Sequence, residues 1–231
     1  MTTTFITGAN KSLGYETARR LIEAGHTVLV GARDPERGQA AADALGARFV
    51  QIDVTDDASV AAAVADVGAH EGGIDVLINN AGVNQPHVSA DQITAAHASA
   101  VYDVNVIGLV RVTQAFLPLL RKAASPVIVN VSSGMGSFAA THDAERVESK
   151  PVAPLYTSSK AAVTMLTTQY AKAWPDVKVN AVDPGYTATD FNGHSGPQTV
   201  TEGTDTIVEL ATIGPDGPTG AFRDRHGTVA W

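Results

Sequence analysis

The sequence of 231 residues contains no cysteine, which excludes structural disulfides, thiolate nucleophiles and cysteine-ligated metal centres. Its seven histidines are scattered and lack the short spacings of a zinc motif. We therefore predict no metal site. The mean hydropathy of +0.03 and a hydrophobic content of 44% are ordinary for a globular chain with a large core.

Basic residues are also scarce. The chain has 16 lysines and arginines against 24 aspartates and glutamates, a formal net charge of −8. A protein that binds nucleic acid needs a basic face to displace counterions, so we expect no nucleic-acid partner. No apolar run is as long as a membrane span, and the N-terminus, MTTTFITGAN, lacks the features of a secretory leader. We predict a cytoplasmic protein without a membrane partner.

Short apolar runs alternate with longer helical patterns along the chain. The runs that predict strands cover residues 3–7, 27–31, 48–53, 74–79, 126–132 and 177–182, with a terminal strand at 227–231. Continuous Val, Ile and Leu runs indicate strands buried on both faces, as in a parallel sheet with helices on either side. We predict one doubly wound α/β domain over residues 1–231, with ligands bound at the carboxyl ends of the strands.

The turn after the first strand, TGANKSLGYE, carries Gly8 and Gly14 at the start of a predicted helix. A glycine turn lets the backbone approach a pyrophosphate, and a helix N-terminus offers free N–H groups and a positive dipole. The alternative is a tight turn kept for packing alone. The position of the turn after the first strand of a β-α series favours a dinucleotide site.

Two cations, Lys11 and Arg33, flank this turn. Arg33 follows the second strand, where an NAD site usually places an acidic residue on the ribose. A cationic pair suits a 2′-phosphate, so NADP(H) is favoured over NAD(H), unless both side chains are merely solvated surface charges. Asp53 ends the third strand and, with Val54, could either contact adenine or form a helix-entry turn.

Two predicted helices bear on the chemistry. One covers residues 94–122, and Gly108 and Pro118 predict a kink in it. The other covers residues 154–174 and places Tyr156 and Lys160 four positions apart, on one helix face. That spacing alone is common and is equally typical of a surface tyrosine beside a surface lysine.

More motifs follow the later strands: NNAG at residues 79–82, Asn105 in NVIG, Ser133 in VNVSS, and Pro184-Gly185 with Thr189. Taken in chain order with the glycine turn and the Tyr156–Lys160 pair, they resemble the short-chain dehydrogenase/reductase family over nearly the whole chain. The tract GARDPERGQAA is similar to the NADPH-dependent carbonyl-reductase branch.

The resemblance implies a Rossmann fold with strand order 3-2-1-4-5-6-7, and hydride transfer between NADP(H) and a small-molecule carbonyl or alcohol. It implies that Tyr156 transfers the proton, that Ser133 holds the substrate oxygen, and that Asn105 connects Lys160 to solvent. We expect Lys160, together with the positive nicotinamide of the oxidised cofactor, to lower the tyrosine pKa from about 10 by about 2–3 units. The implied cofactor-binding residues are Gly8, Asn10, Lys11, Ser12, Leu13, Gly14, Arg33, Asp53, Val54, Asn80, Ala81, Gly82, Tyr156, Lys160, Pro184, Gly185, Thr187 and Thr189.

The chain departs from the family pattern in two places. Ser12 replaces a loop glycine, so either its Cβ crowds the pyrophosphate or its hydroxyl donates to phosphate. The segment 134–155 is longer than usual and either bears on substrate access, blocks a helix–helix dimer contact or is an idle exposed loop. Relatives often pair their long helices, which would make the protein a homodimer or homotetramer.

Two other functions are consistent with parts of the pattern. A non-catalytic NADP-binding sensor on the same fold would be expected to have lost Tyr156 or Lys160, yet both are present. A methyltransferase also uses a glycine loop in a parallel sheet, but it leaves Ser133, Tyr156 and Lys160 without a role. The Gly-rich and Thr-rich loop over residues 186–199 is predicted to cover the substrate as a mobile lid.

Overall fold

The computed structural model describes every residue from Met1 to Trp231. Eight strands form one sheet: β1 (Thr3–Thr7), β2 (Thr27–Ala32), β3 (Arg48–Gln51), β4 (Val76–Asn79), β5 (Val127–Val131), β6 (Lys178–Val182), β7 (Phe222–Asp224) and β8 (Gly227–Thr228). Nine α-helices connect and cover them: α1 (Ser12–Glu23), α2 (Pro35–Leu45), α3 (Asp57–His70), α4 (Ala95–Tyr102), α5 (Gly108–Leu120), α6 (Phe138–His142), α7 (Pro154–Ala173), α8 (Val200–Gly203) and α9 (Asp205–Ala211).

The strand order is β3-β2-β1-β4-β5-β6-β7-β8. Strands β1 to β7 run parallel, and β7 pairs with β8 in antiparallel fashion. The predicted doubly wound sheet and its order are confirmed. The predicted terminal strand over 227–231 is present in shorter form as β8, whereas the seventh strand, Phe222–Asp224, was not predicted. That strand has a single fully buried large side chain, Phe222, and therefore no apolar run to reveal it.

The core lies on both faces of the sheet because neighbouring residues of a strand point to opposite sides. On one side Phe5 stacks on Phe116 of α5, with ring centroids 4.5 Å apart, beneath α3 and α5. On the other side Ile6 packs with Leu21 of α1 and Leu210 of α9. Each such fully buried side chain contributes about 1.5–3 kcal/mol, which fixes the strand ends on which the site is built.

The long helix over residues 95–120 is interrupted by a π turn, Asp103–Ile107, between α4 and α5. Of the two residues predicted to interrupt the helix, Gly108 directly follows this π turn, whereas Pro118 lies in the last turn of α5 and does not end it. Gly108 lets the helix approach the chain after β3, since a Cβ there would be 2.9 Å from the Val54 side chain. A π turn holds one residue more than an α turn, and its centre here is Asn105.

The same helical stretch, Ala95–Leu120, corrects one expectation from the sequence. Its mean hydropathy of 1.3 and its length are sufficient for a membrane span, although no such run was expected. A core helix passes the same test, and in this fold Val112, Phe116 and Leu120 of the stretch are fully buried against the sheet. By length and composition alone the stretch is weak evidence for a membrane.

Candidate functional site

A cleft of about 380 Å³ lies at the carboxyl ends of the central strands. Most of the predicted site residues line it: Gly8, Asn10, Lys11, Ser12, Leu13, Gly14, Arg33, Asp53, Val54, Asn80, Ala81, Gly82, Ser133, Tyr156, Lys160, Pro184, Gly185 and Thr189. Two predicted residues are not in its lining. Asn105 is buried behind it, and Thr187 is buried with its hydroxyl donating to the Pro184 carbonyl at 2.9 Å.

One end of the cleft is the N-terminus of α1. The residue before the helix, Lys11, makes no side-chain cap, and the first turn contains no acidic residue. The first N–H groups of α1 are therefore left for an anion. Gly14 lets the turn close tightly, because a Cβ there would be 2.5 Å from the Gly8 carbonyl and 2.6 Å from the Asn80 side chain. This uncapped, glycine-lined helix end fits the pyrophosphate of a dinucleotide.

Ser12 has a φ of 49°, in the left-handed region that glycine adopts readily and other residues adopt at a cost. The loop thus keeps the backbone conformation of a glycine although the residue is serine. Compared with glycine, serine adds a Cβ and a hydroxyl to the lining of the cleft.

The NNAG segment after β4 ties the glycine turn to the middle of the sheet. The Asn80 side-chain amide donates to the carbonyls of Thr7 and Gly8, at 2.8 and 3.1 Å. The Thr7 hydroxyl in turn accepts from the backbone N–H groups of Asn80 and Ala81, both at 3.0 Å. These bonds hold the turn in place before any ligand binds.

The two predicted phosphate-binding cations differ in their surroundings. The Arg33 side chain is 78% exposed, and its nearest acid is Asp53, with Nε 4.0 Å from Oδ2. Lys11 already donates to Asp190 at 3.1 Å, across the mouth of the cleft. Asp53 accepts from the backbone and hydroxyl of Thr55, so it also holds its own turn. Arg33 is the freer of the two cations.

The other end of the cleft holds Ser133, Tyr156 and Lys160. Ser133 follows β5, whereas Tyr156 and Lys160 lie on successive turns of α7. The Lys160 ammonium is buried, donates to the Val131 carbonyl at 2.8 Å and lies 5.7 Å from the centre of the Tyr156 ring. The Tyr156 and Ser133 side chains both line this end of the cleft.

Burial controls the ionisation of this group. Burial raises the pKa of Tyr156 well above its usual range; the nearby Ser133 side chain opposes that shift, and the negative charge of Asp183 adds to it. Burial also lowers the pKa of Lys160 to about 8, against the opposing attraction of Asp183. Without the cofactor, desolvation of the phenolate thus opposes the expected lowering of the tyrosine pKa, which was assigned to Lys160 together with the oxidised nicotinamide.

Asn105 braces the site from behind. Its side-chain amide donates to the Val83 carbonyl at 2.9 Å and to the Ser159 hydroxyl at 3.0 Å, and its oxygen accepts from the Val83 N–H at 2.8 Å. Ser159 then donates to the carbonyl of Tyr156 at 2.7 Å. The Asn105 side chain is therefore fully engaged in joining the segment after β4 to α7.

Phe191 belongs to the loop predicted to cover the substrate, and its ring centroid lies 5.5 Å from that of Tyr156. Two other side chains near Tyr156, Asp183 and Gln85, were missed in the sequence. Asp183 is buried at the end of β6, and burial raises its pKa although the N–H groups of Gly134 and Gly185 lower it. Gln85 contacts the start of α7. Of these residues, only Asp183 could have been recognised from the sequence as a candidate site residue, because it is an acidic residue directly after a buried strand.

Comparison with known proteins agrees with this geometry. The short chain dehydrogenase family model matches residues 2–199. A (−)-isopiperitenone reductase from Mentha piperita is 31% identical, with 97% of this chain and 96% of the relative covered. A short-chain dehydrogenase from Penicillium roqueforti is 36% identical over 90% of this chain and 88% of its own length. The structure of an NADPH-bound carbonyl reductase from chicken fatty liver superposes with a TM-score of 0.89, 31% identity, and 99% and 98% of the two chains covered. The chain therefore belongs to the short chain dehydrogenase family of oxidoreductases.

Proposed function

We propose that this protein is an NADP(H)-dependent oxidoreductase that interconverts a carbonyl and an alcohol, with Tyr156 as the general acid and base. One observation carries the proposal: a single cleft joins the uncapped start of α1 to the group formed by Ser133, Tyr156 and Lys160. A dinucleotide held at the first end reaches a proton donor at the second. When bound, the nicotinamide supplies or accepts the hydride.

Tyr156 and Ser133 are suited to act on the substrate oxygen. A carbonyl oxygen between the two hydroxyls accepts a hydrogen bond from each, and the bond from Ser133 stabilises the charge that develops on that oxygen. The phenol then donates its proton to that oxygen. The ammonium of Lys160 offsets the charge left on the phenolate.

The protonation states of Tyr156 and Lys160 near neutral pH suit the proton donation that reduction requires. The raised pKa of Tyr156 keeps the phenol protonated, as a proton donor must be. The pKa of Lys160, about 8, leaves most of the lysine charged at pH 7. Oxidation of an alcohol needs the opposite tyrosine state and is expected to gain rate as the pH rises.

A preference for the 2′-phosphate is supported by Arg33. Arg33 follows β2, and its guanidinium is exposed. Its nearest carboxylate, that of Asp53, comes no closer than 4.0 Å. Guanidinium binds phosphate through paired N–H donors, so this side chain fits NADP(H) better than NAD(H). The NADPH-bound carbonyl reductase among the similar structures supports the same cofactor.

We propose an apolar carbonyl compound as the substrate. Phe191 and Val83 line the cleft beside Tyr156, and both are partly exposed to it. Apolar side chains beside the reacting group favour a ligand with apolar surface. The relatives named as a carbonyl reductase and an isopiperitenone reductase support this class.

The test is NADPH consumption with a panel of aliphatic, cyclic and aromatic carbonyl compounds, isopiperitenone included. We expect Tyr156→Phe to lose turnover while NADPH still binds, as followed by its fluorescence. Near wild-type reduction by that variant would overturn the assignment of the general acid. NADPH binding without turnover of any carbonyl by the wild type would instead indicate a cofactor sensor.

A further inference from the structure

The helix that carries Tyr156 starts without a cap of its own. The residue before α7 is Ala153, whose side chain accepts no hydrogen bond, and the first helical residue is Pro154, which has no N–H. The next two N–H groups, those of Leu155 and Tyr156, have no carbonyl partner one turn earlier. A start of this kind needs an acceptor from elsewhere in the fold.

Gln85 supplies that acceptor. Its Oε1 accepts from the N–H of Leu155 at 2.9 Å and from that of Tyr156 at 3.2 Å. Both partners are donors, so the oxygen of the amide, and not its NH2 group, faces the helix. One side chain, 70 positions earlier in the sequence than the helix it caps, thus takes the place of an N-cap residue.

The same bonds fix the backbone of Tyr156 from both sides. Its N–H is held by Gln85, and its carbonyl accepts from Ser159, which Asn105 connects to Val83. Val83 and Gln85 belong to one segment, which continues from the cofactor-lining residues 80–82. That segment therefore determines where the tyrosine stands relative to the cleft.

We propose that Gln85 is a positioning residue for Tyr156, which it sets at the proper depth in the cleft by capping α7. This inference rests on the proposed carbonyl–alcohol activity. Gln85 acts through the helix and takes no part in the proton transfer. Its loss leaves the dinucleotide end of the cleft intact and displaces the phenol.

The experiment compares Gln85→Ala, Gln85→Asn and Gln85→Glu with the wild type. Alanine removes the acceptor, asparagine is one methylene too short to reach, and glutamate keeps both accepting contacts. Since a displacement of about 1 Å can cost roughly a hundredfold in rate, we expect kcat to fall at least tenfold in the first two variants. Glutamate should restore kcat to within a few-fold, and the NADPH dissociation constant should change little throughout.

Gln92→Ala is the matched control, because Gln92 lies in the same segment, is exposed and caps only a short turn at Ser89. It should leave kcat unchanged. Wild-type kcat in Gln85→Ala and Gln85→Asn, or a glutamate variant as slow as the alanine one, would overturn the proposal. A drop in Gln92→Ala equal to that in Gln85→Ala would also overturn it.

Amide hydrogen exchange at Leu155 and Tyr156 separates this inference from the proposed function. We expect protection in the wild type and in Gln85→Glu, and faster exchange in Gln85→Ala, whether or not a substrate is known. Unchanged exchange in Gln85→Ala would show that Gln85 does not hold the helix start. A wild type that reduces no carbonyl but shows this exchange pattern would refute the activity and leave the cap in place.

Discussion

The buried ammonium of Lys160 donates to the carbonyl of Val131 at 2.8 Å and lies 5.7 Å from the centre of the Tyr156 ring. The lysine is thus anchored to the sheet and acts on the tyrosine through its charge, without donating to the phenol. With the pKa of Tyr156 raised and that of Lys160 lowered to about 8, the two groups are protonated together at neutral pH. This arrangement suits proton donation to a carbonyl oxygen.

The pH profile of reduction should follow from this pair. Burial lowers the pKa of Lys160 to about 8, so its charge disappears above that pH, while the tyrosine keeps its proton. We expect the kcat for carbonyl reduction to be flat below pH 7 and to fall as Lys160 loses its proton. The check is kcat at saturating NADPH from pH 6 to 10. A rate that is constant to pH 10 would contradict this role for the lysine charge.

Stability should also depend on the protonation of Lys160. The folded protein releases this proton near pH 8, whereas an unfolded lysine keeps it to about 10.4. Between those values the unfolded state binds more protons, so the contribution of this group to the free energy of unfolding rises with pH. Lys160→Met lacks the group and should be the more stable below pH 8, with the difference shrinking toward pH 10. Urea unfolding of both proteins at several pH values measures this difference in the free energy of unfolding. A difference that does not change with pH would contradict the prediction.

Arg33→Ala should weaken NADPH binding and spare NADH. Charge-assisted hydrogen bonds to phosphate contribute about 1.5–3 kcal/mol, so we expect the NADPH dissociation constant to rise about tenfold or more. Arg37→Ala is the matched control, because Arg37 is 75% exposed, pairs with Asp34 at 3.6 Å and does not line the cleft. Equal losses for NADPH and NADH in Arg33→Ala would remove the argument for a 2′-phosphate site.

Lys11 provides a separate test because Asp190 already occupies its ammonium. Binding of a phosphate must compete with that ion pair, so Lys11→Ala should weaken NADPH less than Arg33→Ala does. Asp190→Asn frees the lysine and should tighten NADPH without tightening NADH. The check is titration of Lys11→Ala and Asp190→Asn with NADPH and with NADH, which gives the dissociation constant of each cofactor. An Asp190→Asn variant with unchanged NADPH affinity would mean that Lys11 does not reach the phosphate.

Much of this fold and site could be predicted from the sequence because strand ends and glycine turns are local signals. The apolar runs predicted the sheet, and the NNAG and Ser133 positions follow directly from it. The cap by Gln85 and the pairing of Lys11 with Asp190 join residues 70 and 179 positions apart, and no local pattern marks them. The direction of the tyrosine pKa depends on burial, which the spacing of Tyr156 and Lys160 does not reveal. The π turn at Asn105 likewise leaves no signal beyond the glycine that follows it.

Substitutions of Ser12, whose backbone is left-handed like that of a glycine, distinguish the two possible effects of its side chain on the cofactor phosphate. A left-handed residue other than glycine costs about 1–2 kcal/mol, and the extra freedom of an unfolded glycine offsets roughly 0.5–1 kcal/mol of that. Ser12→Gly should therefore raise the free energy of unfolding by up to about 1.5 kcal/mol, as measured in urea. Ser12→Ala keeps the strain and should show no gain. If the Cβ crowds the pyrophosphate, only the glycine variant will bind NADPH more tightly; if the hydroxyl donates to phosphate, both variants will bind it less well.

Gly136 packs the turn after Ser133 against α7, the helix that carries Tyr156 and Lys160. A Cβ at Gly136 would be 2.7 Å from the carbonyl carbon of Lys160 and 2.8 Å from its oxygen, so the clash is with backbone and no side-chain rotation can relieve it. Gly136→Ala must push α7 away from β5, which should cost about 1–3 kcal/mol of stability and lower kcat by displacing Lys160. Gly68→Ala is the control, since its Cβ would meet Leu119 at an ordinary 3.6 Å and alanine favours the helix. Thermal unfolding and turnover of the two variants test this prediction. A Gly136→Ala protein as stable and active as Gly68→Ala would show that the added Cβ does not displace α7.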